Sequence, residues 1–289
     1  MAKAPLSQGG TLAHLLVKAT EHLEPSSDSA QLDAEVLLCH VLQKNRSFLR
    51  TWPEHWPSPQ QIRQFEQLIE QRHHGLPIAY LIGQKEFWSR SFIVNPHVLI
   101  PRPDSELLVE LSLALLPMDT NAALLDLGTG SGILALTLAA ERPFADVTAI
   151  DVSLDALEVA QLNARTLGIP NVSFLQSAWF EQVPEVSFDL IVSNPPYVAA
   201  DDPHLKHGDV RFEPETALIS NDDGLEAIRQ IAAQASNYLK NQGHLLIEHG
   251  YQQQAQVQAI FSQHHFIRIN THRDLSGNPR VTSGVWSPV

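Results

Sequence analysis

After residue 120 the sequence alternates between short apolar runs and longer amphipathic segments, and this alternation constrains the fold more than any other feature. Apolar runs of strand length lie at 123–127, 146–151, 172–175, 188–193 and 244–248. Helical patterns separate them at 132–141, 153–167 and 223–240. Strand, helix and strand in this order predict an α/β fold with a doubly wound, mostly parallel sheet. Two further apolar runs at 265–270 and 280–287 have no helix between them, so we expect seven strands with an antiparallel ribbon at one edge.

The first 100 residues follow a different pattern. Apolar residues at helical spacing predict a small all-α domain over residues 1–85. Aromatic and β-branched residues dominate residues 86–100, where Asn95-Pro96 provides a turn signal. We therefore predict a β-hairpin linker over 86–100, with the turn at Asn95-Pro96, and a larger domain over residues 101–289.

The composition excludes several classes of protein. Hydrophobic residues make up 44% of the 289 residues, which excludes a disordered chain. The 19 Lys and Arg against 32 Asp and Glu give a net charge of −13, so no direct nucleic-acid partner is expected. The single cysteine and the spacing of the 14 histidines predict no disulfide and no metal site. No apolar stretch is long enough to span a membrane, and we expect a cytoplasmic protein.

A glycine-rich loop follows the first strand of the larger domain. Gly128, Gly130 and Gly132 let the backbone turn tightly and let a ligand approach closely. Asp151 ends the next strand, where an acid typically accepts hydrogen bonds from ribose hydroxyls. A dinucleotide-binding loop needs a small residue at the position of Ile133. The G-x-G-x-G spacing, preceded by an acid two residues earlier, instead resembles the first motif of class I methyltransferases, whose cofactor has no pyrophosphate.

A second motif, Asn194-Pro195-Pro196-Tyr197, follows the fourth strand. In an open α/β sheet this is the carboxyl end, where ligands bind. An amide nitrogen is a poor nucleophile because its lone pair is delocalised, and a site helps by accepting both of its N–H hydrogens. The side-chain oxygen of Asn194 and the carbonyl of Pro195 are suitable acceptors, and Tyr197 can pack on a planar group.

With both motifs, the chain resembles the release-factor glutamine methyltransferase family (PrmC/HemK) of class I methyltransferases, which use S-adenosyl-L-methionine (SAM). The matching segments are 99–106, 126–132, Asp151, 176–180, 193–198 and 202–218. The resemblance implies that SAM methylates N5 of the glutamine in the Gly-Gly-Gln motif of class I peptide-chain release factors. S-adenosyl-L-homocysteine is the implied second product, and the helical domain is implied to recognise the substrate protein.

The resemblance also assigns individual residues. Cofactor binding is implied for Gly128, Thr129, Gly130, Ser131, Gly132, Asp151, Trp179 and Asn194. Catalysis and the grip on the glutamine amide are implied for Asn194, Pro195, Pro196 and Tyr197. Substrate contacts are also implied for Arg102 and Pro103. The family commonly has an aspartate where this chain has Ala178, so we expect cofactor binding to be weaker by about 1–3 kcal/mol if a charged hydrogen bond is absent.

Other functions are compatible with the same motifs. A glutamine methyltransferase of a large-subunit ribosomal protein would share both of them, but segment 208–214 looks like the release-factor branch. A nucleic-acid amino-group methyltransferase also uses Asn-Pro-Pro-Tyr, and the negative charge argues against it. A SAM-binding module without catalysis finds support only in Ala178. For Glu248-His249-Gly250, which ends the fifth strand near the expected site, lining of the pocket and packing remain equally open.

Overall fold

The computed structural model describes residues 10–288, which form two compact units. One unit contains the described residues up to Gly83 together with Lys206–Phe212. The other contains Gln84–Leu205 and the described residues from Glu213 onwards. No helix within residues 10–288 is both long enough and apolar enough to cross a membrane.

The first unit is built from five α-helices and one short 3₁₀ helix, Asp209–Phe212. The α-helices are α1 (Leu12–Leu23), α2 (Ala30–Leu42), α3 (Arg46–Thr51), α4 (Pro59–His73) and α5 (Ile78–Ile82). A capping box formed by Ser58 and Gln61, with Pro59 in the first turn, fixes the start of α4. Fully buried side chains of α1, α2 and α4 form its core, among them Leu12, Leu15, Leu37, Leu38, Phe65 and Ile69.

Segment 206–212 groups with the helical unit, although we predicted one continuous domain over residues 101–289. Arg72 of α4 explains the difference: its Nε donates to Asp33 over 2.7 Å and its Nη1 donates to Asp209 over 2.8 Å. The Arg72 side chain is only 11% exposed, so this pairing is largely shielded from water. Arg211 adds a hydrogen bond from its Nη2 to the carbonyl of His74. Pairs so far apart in the sequence leave no local pattern.

The second unit begins with a β-hairpin whose turn differs from the prediction. Its antiparallel strands are β1 (Gln84–Phe87) and β2 (Arg90–Ile93). The turn lies at Trp88 and Ser89, with φ of +50° and +58°, so the predicted turn at Asn95-Pro96 is wrong. Non-glycine residues rarely adopt this conformation, and the carboxylate of Glu106 holds it by accepting the N–H of Trp88 over 3.0 Å.

The predicted seven-stranded α/β sheet is confirmed. Its strands are β3 (Ala123–Leu127), β4 (Asp146–Asp151), β5 (Val172–Gln176), β6 (Phe188–Ser193), β7 (Leu239–Glu248), β8 (Ile267–Arg273) and β9 (Pro279–Val285). The spatial order is β5-β4-β3-β6-β7-β9-β8. The first five of these strands are parallel to one another, while β9 runs antiparallel to both β7 and β8. The ribbon of β8 and β9 therefore occupies one edge, as predicted.

Helices cover both faces of this sheet. They are α6 (Glu106–Leu115), α7 (Ile133–Glu141), α8 (Leu154–Leu167), α11 (Glu226–Ala235) and α12 (Gln254–Gln263), with one-turn helices α9 (Glu215–Leu218) and α10 (Asn221–Gly224) before α11. Along β3, Leu124 belongs to one apolar core and Leu125 to the other. This alternation buries both faces, which is why the central strands consist mainly of apolar residues.

The strand order places the site. The chain runs from β3 outward to β4 and β5, then returns to form β6 on the other side of β3. At such a switch point the loops after the two central strands diverge and leave a crevice at their carboxyl ends. Leu127 at the end of β3 pairs with Ser193 at the end of β6, so the two sequence motifs begin side by side.

Asn163 on α8 connects the hairpin to the glycine loop. Its side chain is fully buried; it accepts the N–H of Ile93 over 2.7 Å and donates to the carbonyls of Ile93 and Ser131 over 3.0 and 2.9 Å. Asn163→Ala should lower the free energy of unfolding by about 2–4 kcal/mol, because buried backbone groups lose their partners at about 1–3 kcal/mol each. Urea denaturation measures this loss.

The matched control for this variant is Thr166→Ala on the exposed face of the same helix. It should change stability by about 0.5 kcal/mol or less. Equal losses in the two variants would contradict the bridging role of Asn163.

Candidate active site

A cavity opens at the carboxyl ends of β3, β4, β5 and β6, and every residue that lines it belongs to the second unit. Its walls come from the loops after these strands, from the segment 97–99 and from the segment 214–217. Of the predicted site residues, the cavity brings together Gly128, Thr129, Gly130, Ser131, Asp151, Trp179, Asn194 and Pro196. The remaining ones lie outside this lining, namely Gly132, Pro195, Tyr197, Arg102 and Pro103.

The glycine loop presents its backbone to the cavity. Gly128 and Gly130 have φ of +74° and +56°, a region that side chains disfavour. A Cβ at Gly130 would meet nothing within 4 Å, so the loop leaves open space there. Gly132 has a different role, because a Cβ there would lie 2.9 Å from Leu136 and 3.2 Å from Ala160. It allows close packing behind the loop.

Asp126 supports this loop from below, and the sequence reasoning did not include it in the site. Its carboxyl is buried and its Oδ2 accepts hydrogen bonds from the Thr129 hydroxyl over 2.7 Å and the Ala135 N–H over 3.2 Å. Its other oxygen has no partner among the described residues. Burial raises its pKa to about 7. The sequence signal was the acid two residues before the first glycine.

Asp151 ends β4 on the opposite side of the loop. One carboxylate oxygen accepts the N–H of Gly130 and the other accepts the N–H of Ser153, both over 2.9 Å. Burial raises the pKa of this carboxyl, against the effect of these hydrogen bonds. Each oxygen retains a lone pair, so the carboxylate can accept two further hydrogen bonds from a ligand in the cavity.

Ala178 and Trp179 line the next part of the wall. Trp179 has a φ of +50°, a strained value for a bulky residue. Ser177 stabilises this turn, because its hydroxyl donates to the Trp179 carbonyl over 2.8 Å and accepts the N–H of Gln182 over 3.0 Å. The indole also packs against the glycine loop, 3.8 Å from where a Cβ of Gly128 would lie. The effect of Ala178 on ligand affinity stays a prediction.

The Asn-Pro-Pro-Tyr segment forms the wall after β6. Asn194 and Pro196 line the cavity, whereas Pro195 is buried beside them. Behind this wall lies Glu248, the last residue of β7, whose carboxylate accepts the Tyr197 hydroxyl over 3.2 Å. The hydroxyl of Ser105 donates a hydrogen bond to the same carboxylate over 2.7 Å. Nδ2 of Asn194 in turn donates to Oγ of Ser105 over 3.0 Å. Sequence reasoning gave Ser105 no role and left that of Glu248 open, because no local motif joins these two residues to Asn194 and Tyr197.

Gly224 packs directly against the same segment. A Cβ at this residue would lie 2.1 Å from the carbonyl oxygen of Tyr197, and its φ is +82°. The amide of Gln253 donates to that carbonyl over 3.1 Å and to the carbonyl of Asp223 over 3.1 Å. This close approach fixes the backbone at the end of the Asn-Pro-Pro-Tyr segment.

Arg102, Pro103 and His249, which the sequence analysis also named, do not line the cavity. Arg102 forms an ion pair with the buried carboxylate of Glu213. Pro103 begins a short 3₁₀ helix, Pro103–Ser105. His249 is buried; its Nδ1 donates to the carbonyl of Gly250 over 2.9 Å and its Nε2 accepts a hydrogen bond from the Thr282 hydroxyl over 2.8 Å. These contacts fit a structural role for this residue. Burial lowers its pKa, which keeps the ring neutral.

The part of the chain that the structure describes contains no group of three or more His, Cys, Asp and Glu side chains that could hold a metal ion. The polar side chains that line the cavity are instead one carboxylate, one carboxamide, one imidazole and the hydroxyls of serines and threonines. This set suits an uncharged sugar and a planar amide better than a hard cation.

A parallel sheet with a glycine loop after β3, an acid after β4 and Asn-Pro-Pro-Tyr after β6 defines a class I methyltransferase domain. Family models agree: one described as the PrmC N-terminal domain matches residues 14–83, and one described as the methyltransferase small domain matches residues 104–209. A methyltransferase structure from Pyrococcus furiosus covers 71% of this chain and 92% of its own, at 17% identity and a TM-score of 0.52, which supports the fold.

Relatives with higher identity define the family. The release factor glutamine methyltransferase of Shewanella oneidensis is 47% identical over 275 residues, which is 95% of this chain and 96% of that protein. The protein of the same name from Pseudomonas aeruginosa is 49% identical over 263 residues, covering 91% of this chain and 95% of its own. This chain belongs to the release factor glutamine methyltransferase family.

Proposed function

We propose that this chain transfers the methyl group of SAM to the N5 amide nitrogen of the glutamine in the Gly-Gly-Gln motif of class I peptide-chain release factors. One observation carries the proposal: Asn194, the amide-accepting residue, lines the same cavity as the glycine loop. Membership of the family supports the same substrate. The enzyme would meet this substrate in the cytoplasm, where ribosomes terminate translation.

The residues of the cavity fit the cofactor. The open space at Gly130 admits a ligand against the backbone, and Asp151 offers lone pairs to the two hydroxyls of a ribose. Thr129 and Ser131 complete the loop, Trp179 offers an aromatic surface to the adenine, and Gly132 supports the loop from behind. When bound, SAM supplies an electrophilic methyl carbon held on a sulfonium, so the chemistry needs no metal.

The Asn-Pro-Pro-Tyr segment would hold the glutamine. Oδ1 of Asn194 and the carbonyl of Pro195 accept the two N–H hydrogens of the amide, which aims its nitrogen at the methyl carbon. Pro196 and the ring of Tyr197 exclude water from the planar group. Orientation of this kind contributes up to about 7–11 kcal/mol in favourable systems. The transfer forms an N–C bond as the S–CH₃ bond breaks, and the displaced N–H hydrogen leaves as a proton. S-adenosyl-L-homocysteine is the second product.

Arg102 and Pro103 would shape the substrate side indirectly. Arg102 neutralises Glu213, which also accepts the N–H of Ile100 over 3.0 Å. Glu213 precedes Pro214, a residue of the cavity wall, so this ion pair holds that part of the wall in place. Pro103 starts the short helix that presents Ser105 to Asn194.

The helical unit would recognise the release factor. It exposes two tryptophans, Trp52 and Trp56, at 59% and 63% of their surface. Tryptophan is enriched among the residues that dominate the energy of protein interfaces. Exposed indoles in a unit that lacks the cavity fit a role in holding the partner protein.

A radiolabel assay tests the proposed function. The protein is incubated with methyl-labelled SAM and, in parallel, a class I release factor, large-subunit ribosomal proteins or nucleic acid. We expect label in the release factor, and none when the glutamine of its Gly-Gly-Gln motif is replaced by alanine. Label in ribosomal protein or nucleic acid alone would overturn the proposed substrate.

Asn194→Ala should reduce transfer by about 100-fold or more, because loss of one oriented polar group at a reacting centre costs about that factor. SAM affinity, measured by calorimetry, should change little, since the glycine loop and Asp151 remain. Wild-type turnover in this variant would contradict the assigned acceptor.

Asp151→Ala should weaken SAM binding by about 1.5–3 kcal/mol, because hydrogen bonds to a charged group are lost. Asp146→Ala, at the exposed opposite end of the same strand, is the matched control and should leave affinity unchanged. Calorimetry measures both, and equal affinities for the two variants would refute the placement of the ribose.

Replacing Trp52 and Trp56 together by alanine should raise KM for the intact release factor by about tenfold or more, as expected for loss of aromatic anchors. The kcat value and SAM affinity should stay at wild-type levels, because neither residue lines the cavity. Met118→Ala, which removes a side chain 66% exposed on the other unit, is the control. A KM equal to that of the control would contradict recognition by the tryptophans.

A further inference from the structure

A buried chain of hydrogen bonds runs behind the Asn-Pro-Pro-Tyr segment. Nδ2 of Asn194 donates to Oγ of Ser105 over 3.0 Å, and this hydroxyl donates to Oε2 of Glu248 over 2.7 Å. The hydroxyl of Tyr197 donates to Oε1 of the same carboxylate over 3.2 Å. Ser105 and Glu248 are both 0% exposed, so water cannot replace either partner. This series of hydrogen bonds ends at Glu248, the only one of the four side chains that carries a full charge when ionised.

The charge of Glu248 fixes the direction of every bond in this chain. A carboxylate only accepts hydrogen bonds, so both hydroxyls must point their hydrogens toward it. The single hydrogen of Ser105 is then used, and toward Asn194 its oxygen can only accept. Asn194 must therefore turn its NH₂ group to Ser105, because the reverse orientation would place two acceptors against each other.

The opposite end of the carboxamide is thereby set as well. No described residue donates to Oδ1 of Asn194, and Asn194 lines the cavity. We infer that Glu248 is a positioning residue that acts through Ser105 to keep Oδ1, rather than Nδ2, of Asn194 facing the amide that is methylated. The inference rests on the proposed function, because it assumes that Asn194 accepts an N–H of the substrate.

Charged and titratable groups on several elements around Glu248 affect its protonation. Arg280 on β9 favours the carboxylate, whereas Asp104 on the 3₁₀ helix opposes it. Tyr197 donates from the segment after β6, and burial lowers the pKa of the neighbouring His249 ring. Burial outweighs the favourable contacts and raises the pKa of Glu248 to about 7. A protonated Glu248 can donate to Ser105, and the enforced direction is then lost.

Glu248→Gln is the sharpest test, because it keeps the shape of the side chain and adds a donor. The amide of Gln can donate to Ser105, whose hydrogen then becomes free to bond Oδ1 of Asn194. We expect kcat on the release factor to fall by about tenfold or more, as for loss of an oriented acceptor. KM and SAM affinity should stay unchanged, because Glu248 contacts neither ligand.

The pH profile separates positioning from a merely structural role. Wild-type kcat should rise as the pH passes about 7, as Glu248 loses its proton. The Glu248→Gln variant should be slow and independent of pH over that range. Glu141→Gln is the matched control: this carboxylate pairs with Arg90 away from the cavity, and its loss should leave both kcat and the pH profile unchanged.

A readout without turnover tests the buried charge itself. The folded-state pKa of Glu248 lies above its ordinary value, so the carboxyl ionises more readily in the unfolded chain. The contribution of Glu248 to the free energy of unfolding of the wild type therefore falls as the pH rises from the ordinary carboxyl range to about 7. Over that range, the stability of Glu248→Gln relative to the wild type should therefore increase. Chemical denaturation at several pH values measures this difference.

A double-mutant cycle with Ser105→Ala tests the path. If Glu248 acts through Ser105, the double variant should be no slower than the slower single variant, because the link is already broken. Multiplying losses would overturn the inference, as would wild-type kcat and pH profile in Glu248→Gln.

Wild-type protein that leaves the release factor unlabelled would instead overturn the proposed function. The cycle is then measured on whichever amide or amino substrate receives the label, since any planar nitrogen needs the same acceptor. The two failures are therefore distinguishable.

Discussion

The parallel pairing of β3 with β6 is the interaction on which the rest of the site depends. The two strands are neighbours although β4 and β5 lie between them in the chain, and their last paired residues are Leu127 and Ser193. The buried hydroxyl of Ser193 donates to the carbonyl of Leu127 over 2.7 Å, which fastens the strand ends to each other. Because both faces of the sheet are covered by helices, a slip of one residue would exchange the two apolar cores. The register therefore determines that the glycine loop and the Asn-Pro-Pro-Tyr segment open into one cavity.

Much of the fold could be predicted because its signals are local. Short apolar runs between amphipathic segments specify strands and helices, and the right-handed connection of parallel strands then restricts how they assemble. The two differences between the prediction and the structure have one physical origin. The hairpin turn at Trp88 and Ser89 is held by Glu106, and the segment 206–212 joins the helical unit through Arg72. Both depend on a charged side chain distant in sequence, and turn propensities cannot register such a partner.

The candidate site likewise contains residues with a local sequence signal and residues that depend on contacts distant in the sequence. Most of the predicted residues that face the cavity stand in two contiguous motifs, while Asp151 ends one strand and Trp179 closely follows the next, so local sequence reveals them. The residues that hold them in place do not stand in these motifs. Ser105, Asp126 and Glu248 come from three different elements, and only folding brings each within hydrogen-bonding distance of its partner. Two of these supports are carboxyls buried from water, with pKa values raised to about 7. Burying them opposes folding near neutral pH, a cost that positioning of the two loops would justify.

Gly224 shows how tightly the far side of the site is closed. Its Cα rests against the carbonyl of Tyr197 so closely that even a methyl group would overlap it, and the backbone there is left-handed. Position 224 carries no reactive group and lies in a different segment from the motif that it supports. Every replacement of this glycine would nevertheless push the tyrosine backbone out of place, because its first side-chain carbon would overlap the carbonyl oxygen. Laboratory libraries that randomise the neighbouring loop to change substrate preference should therefore leave this one position untouched.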